Sequence, residues 1–160
     1  MKVIVYTSNT GSTERYAQML SEKTGYPCEK LEKADFDEND EVIFLGWVMT
    51  GDLQGYKAAK EKYKNIIAVG AVGMMKSDKS LDEIKQKSGV TEPLYFLMGA
   101  FDMKKLKGIY KIMMGMMVKM LKSKVKESGQ PEMGKAVELF EKGFDEVKEE
   151  NLEALFEAVK

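Results

Sequence analysis

Four apolar runs, each too short for a typical helix and separated by amphipathic stretches, constrain this chain more than anything else in it. They are KVIVYT (2–7), EVIFLGW (41–47), NIIAVGAVG (65–73) and PLYFLMGAF (93–101). Most are rich in β-branched residues and lack the apolar–polar alternation of a strand with one wet face. Continuous runs of this kind belong to strands buried on both faces, the habit of a parallel sheet covered by helices. Between them, STERYAQMLSEKT (12–24) places Tyr16, Ala17, Leu20 and Lys23 at helical spacing, and Gly25 follows as a stop. SLDEIKQKS (80–88) is helical and ends at Gly89. DLQGYKAAKEKYK (52–64) reads as a polar helix or as a turn plus a helix, and Pro27–Leu31 as a weak second strand. The expected fold is α/β: a three-layer, doubly wound, five-stranded parallel sheet of strand order 2-1-3-4-5.

A chain of 160 residues is expected to form one domain over 1–160, with a Lys/Met-rich helical segment at 103–126 and an acidic helical tail at 132–160. The formal net charge of −1 gives no reason to expect nucleic acid as a partner. No apolar segment approaches the ~20 residues of a membrane span, and the N-terminus lacks the pattern of a secretory signal. A soluble cytoplasmic protein is the expectation.

The chain has no histidine and a single cysteine, Cys28. Disulfides within the chain, thiolate or histidine metal sites and histidine-based nucleophile systems are thereby excluded, and no metal is expected. Chemistry here is expected to be borrowed from a cofactor, and no catalytic residue is assigned.

The first apolar run ends in YTSNTGSTER, with five hydroxyl side chains around Gly11. In a doubly wound sheet this turn lies at the switch point where ligands bind. It leads into a helix whose first amides have no intrahelical partner and whose positive end suits an anion. Ser8, Asn9, Thr10, Gly11, Ser12 and Thr13 are therefore read as a phosphate loop of neutral donors, with no lysine. The alternative is a polar turn in which Asn9 or Thr10 caps a helix. The loop fits neither G-x-x-x-x-G-K-[ST] nor G-x-G-x-x-G.

Ile4, Val5, Tyr6, Ser8, Gly11, Thr13 and Ala17 match without a break the FMN-phosphate loop of flavodoxins, which this chain resembles. The resemblance implies non-covalent FMN, with the ring between the loops after the third and fourth strands. Trp47, Val48 and Met49 would then cover one face, and Thr50 and Gly51 would meet its edge. Asp52 would meet the same edge or, as its more usual role, cap the following helix, and the alternative for Trp47 is the last core residue of its strand. After the fourth strand the chain has Val72, Gly73, Met74 and Met75 where flavodoxins commonly carry a glycine–acid–aromatic arrangement. Gly73 and Met74 are taken as flavin contacts, with methionine packing on the ring.

On a helical wheel, residues 103–126 form a broad apolar stripe of Leu106, Ile109, Tyr110, Met113, Met114, Met116, Met117, Met120 and Leu121, backed by lysines. The stripe reads either as core or as a surface for a flat ligand, a partner or an anionic membrane. FLMGAFDMKKLKGIYKIMMGMMVKML is similar to the corresponding stretch of flavodoxin-type, menaquinone-dependent protoporphyrinogen IX dehydrogenases, although Arg15 is the only arginine in the chain. Three functions follow. The first is electron transfer through FMN between a redox partner protein or small-molecule donor and an acceptor. The second is porphyrinogen oxidation with a quinone as acceptor, peripheral to the inner face of the membrane through 103–126. The third is a flavin-free binding domain on the same fold.

Overall fold

The computed structural model describes residues 1–74, 79–129 and 131–160. The chain forms two compact units, one of residues 1–99 with 147–160 and one of residues 100–146.

The first unit is built on five parallel strands: β1 (Lys2–Tyr6), β2 (Cys28–Lys30), β3 (Glu41–Met49), β5 (Ile66–Gly73) and β6 (Leu94–Met98). Their order across the sheet is β2-β1-β3-β5-β6, the expected doubly wound arrangement. A two-residue strand, β4 (Asp52–Leu53), folds back antiparallel on the end of β3. Val3, Ile4 and Val5 of β1 and Val42 to Leu45 of β3 are wholly inaccessible. Such burial requires cover on both faces and explains why these strands read as unbroken apolar runs.

Each face has its own helices. Val3, Val5, Val42, Phe44, Val69 and Ala71 join one apolar cluster with Tyr56 and Ala59 of α2 (Tyr56–Lys62) and Ile84 of α3 (Ser80–Ser88). On the other face lie α1 (Ser12–Thr24) and α6 (Glu153–Val159), which bury Tyr16, Ala17, Leu20, Leu155 and Val159. The buried Tyr16 hydroxyl donates to the Met98 carbonyl at the end of β6 and accepts from Asn151 Nδ2 at 2.9 Å. Segment 52–64 is thus a turn plus a helix. The acidic tail is not one helix, and only its last part covers the sheet.

The second unit opens and closes with a short antiparallel ribbon of β7 (Ala100–Phe101) and β8 (Phe144–Asp145). The run 93–101 is therefore two strands belonging to different units. Neither ribbon strand is long enough to leave a periodic signal in the sequence. A 3₁₀ turn (Met103–Lys105) leads to α4 (Ile109–Ser128), which packs against α5 (Pro131–Lys142). Phe101 meets Phe140 edge-on at 5.3 Å between ring centres, and Phe144 stands 6.2 Å from Phe101. Lys122 pairs with Glu141 between the two helices.

The apolar stripe of α4 is divided. Val118 is buried, and Tyr110, Met114, Met117 and Leu121 are half-buried beside it. Ile109, Ile112, Met113, Met116 and Met120 remain exposed. The core reading and the surface reading of this segment each describe one arc of the same helix.

Candidate functional site

The site grows out of the carboxyl end of β1. The Thr7 amide donates to the Leu45 carbonyl at 3.0 Å, which holds the chain at the sheet edge before it turns. Its hydroxyl donates to the Gln54 carbonyl at 2.7 Å. Ser8 Oγ accepts from the Gly11 amide at 3.2 Å and thereby closes the turn while keeping its own proton to donate. Gly11 sits at φ 102°, a conformation that glycine adopts without penalty. It is the N-cap of α1, and among the described residues no side-chain cap bond is made there. The alternative of a capping Asn9 or Thr10 is therefore not what the chain does. The positive end of α1 faces this hydroxyl-rich turn. Thr10 is half-buried, Asn9 exposed, and Ser12 and Thr13 are buried in the first turn.

This turn borders a cleft of about 260 Å³. Ser8 and Asn9 form one side, and Trp47 stands on the wall with Gln54 and Gly55. Lys30, the last residue of β2, and Glu32 just after it complete it. The loop carries no lysine, yet strand pairing brings one to the cleft, because Tyr6 lies opposite Lys30 in the β1–β2 register. That cation could be found only by pairing the strands. Tyr6 anchors the turn from below: its hydroxyl donates to Glu14 Oε1 at 3.1 Å. Burial, helped by that carboxylate, pushes its pKa up to about 12, so the donor stays protonated.

The segment after β3 is a hairpin. Thr50 and Gly51 both have positive φ, 51° and 82°, and form the two-residue turn between Met49 and Asp52. The tip lies against α3: Lys87 Nζ donates to the Thr50 carbonyl, and Gly51 abuts Glu83. Asp52 does not cap α2, whose N-cap is Gly55. Its Oδ1 instead accepts from Ser88 Oγ at 2.6 Å, and Ser88 Oγ accepts from the Leu53 amide at 2.8 Å. Val48 and Met49 stand half-buried at the end of β3, and Gly73 lies beside Val48 at the end of β5. A Cβ on Gly73 would meet the Phe96 ring at 2.8 Å, so the absent side chain there makes room for Phe96. Met74 is half-buried just beyond. Met75 and the rest of that loop through Asp78 lie outside the described residues.

Among the described residues no group of His, Cys, Asp or Glu is placed to hold a metal. Cys28 is half-buried, and burial together with Glu29 and Glu14 pushes its pKa up to about 11, which keeps it a thiol at neutral pH.

A parallel doubly wound sheet with a hydroxyl-rich turn at its switch point defines a class: doubly wound α/β proteins, a fold in which ligands sit at the carboxyl edge of the strands. Within that class, the family model of the flavodoxin domain matches residues 3–128, and the chain belongs to that family. No curated protein and no solved structure matches it. Membership supports a flavin-based redox role in general.

Proposed function

We propose that the protein is an electron-transfer flavoprotein that binds FMN non-covalently, with the phosphate on Ser8–Thr13 and the ring against Trp47. The observation that carries this reading is the junction of the Gly11-capped α1 N-terminus, the Ser8–Gly11 turn and the Trp47-walled cleft in one flavodoxin-family chain. The residues fit the group. Ser8 has a hydroxyl proton to give, Gly11 leaves open space where a side chain would stand, and Lys30 adds a cation beside an otherwise neutral loop. FMN, when bound, supplies the capacity to take up and release one or two electrons. The chain's part is to hold the phosphate, present an aromatic wall and leave the cleft open to a redox partner.

A second reading, oxidation of a porphyrinogen with electrons passing to a quinone, is supported by the basic, methionine-rich character of α4 and by the likeness of residues 96–121 to that branch. The absorbance spectrum of the purified protein, with mass analysis of whatever denaturation releases, tests the first reading. Yellow protein that releases FMN is expected; colourless protein that takes up none on titration overturns it. Anaerobic turnover of porphyrinogen with a quinone then separates carrier from enzyme.

A further inference from the structure

The exposed arc of α4 is unusual in composition. Ile109 and Ile112 are each 65% exposed, Met116 62% and Met120 60%, with Met113 beside them. At 3.6 residues per turn these five positions fall within an arc of about 100°, one continuous apolar strip along the helix. Single exposed apolar residues need no explanation, but a contiguous strip does. The opposite arc is already occupied by the packing against α5, so the strip is not the inner face of the helix pair.

Charge says what could cover it. Residues 103–126 contain eight lysines and no acidic residue, whereas the chain as a whole has net charge −1. Lys104, Lys105 and Lys107 are exposed before the strip, Lys119 beside it and Lys126 beyond it. A protein partner could bury the apolar strip, but so long a run of a single sign favours an extended anionic surface opposite it. No helix among the described residues is long and apolar enough to cross a membrane. An apolar strip flanked by lysines on a non-spanning helix is the pattern of a segment lying in a lipid headgroup layer.

We infer that α4 docks the protein on anionic membrane surfaces, with Ile112, Met116 and Met120 entering the acyl boundary and the flanking lysines meeting lipid phosphates. This rests on the second unit alone and does not depend on flavin binding.

The test is co-sedimentation of the full-length protein with phosphatidylcholine vesicles, with and without roughly 30 mol% phosphatidylglycerol, at low and high salt. Partitioning only onto the anionic vesicles, weakening as salt rises, is expected. I112S/M116S/M120S should lower it at least tenfold. Each of K119A and K126A should lower it about fivefold, the equivalent of ~1 kcal/mol per lysine near the surface. All five side chains are exposed, and unchanged circular dichroism and melting temperature establish that the variants fold. No binding to either vesicle, equal binding to both, or binding that the variants leave intact overturns the proposal. Concentration-dependent dimerisation that the triple variant abolishes, without vesicle binding, also overturns it and assigns the strip to a second copy of the chain.

Discussion

Gly55 stands directly over Thr7: a Cβ built on the glycine would lie 2.3 Å from Thr7 Cγ2. The two residues join the hairpin after β3 to the turn after β1, because Thr7 also donates to the carbonyl of the neighbouring Gln54. Gly55 has φ +86°, where any L side chain is strained by roughly 1–2 kcal/mol before the clash is counted. Gly55→Ala should therefore destabilise the fold by about 2 kcal/mol or more and push Thr7 out of place. Denaturant melts give the first effect. Flavin titration should show weakened binding in the fraction that stays folded.

Trp47 is the only tryptophan and lies on the cleft wall, so it reports on what enters. Titrating the flavin-free protein with FMN should quench most of its emission. Emission that stays constant while FMN demonstrably binds would mean that the ring lies elsewhere.

Lys30 and Glu32 give the same assay a second use, since they border the cleft with opposite charges. Lys30→Met should weaken FMN binding by up to about 1 kcal/mol, and Glu32→Gln should strengthen it by a similar or smaller amount. Both effects should shrink at high salt, because exposed charges are screened over ~10 Å at 0.1 M. If neither substitution alters affinity at low salt, the phosphate is held by the neutral loop alone.

Glu92 makes stability depend on acid. Burial pushes its carboxyl up, but hydrogen bonds from Lys60 and Tyr56 outweigh burial, and its pKa falls below the ordinary 4.5. Tyr56 responds in the opposite sense: burial and this carboxylate push its pKa up to about 12. The folded protein thus binds the Glu92 proton less readily than the unfolded chain does. The stabilisation is complete above about pH 4.5 and is lost as pH falls through the lowered folded value. Glu92→Gln should cost roughly 1–2 kcal/mol at pH 7 and progressively less toward pH 3. Paired urea melts across that range measure it, and a constant difference would refute the linkage.

Gly115 sits inside α4 in open space, with no atom within 4 Å of the point where an alanine methyl would stand. Gly115→Ala should raise stability by about 0.5–1 kcal/mol through helix propensity, visible in thermal unfolding.

The sheet is legible in the sequence because β1, β3 and β5 are buried on both faces, and double burial writes itself as an unbroken apolar run. The hydroxyl-rich turn of Ser8–Thr13 is equally legible, since its residues are adjacent in the chain. Lys30 is not, because only the β1–β2 register brings it beside the cleft. The hairpin at Thr50–Gly51 lacks the Asn-Gly or Asp-Gly pair that usually announces such a turn. Asp52 reads as a cap from local chemistry, but Ser88, distant in sequence, takes its carboxylate. The α4 stripe is visible on a wheel, yet a wheel cannot tell which arc a later helix will cover.

The ribbon that opens and closes residues 100–146 has a consequence for how such a protein can change. Ala100 faces Asp145 and Phe101 faces Phe144, so the chain leaves and returns at one spot. Closing a longer excursion between fixed ends adds only about 0.6 kcal/mol for each doubling of its length. Everything beyond the ribbon is therefore a cassette. It can be exchanged while the strand order and the hydroxyl-rich turn, encoded before residue 100, are left as they are.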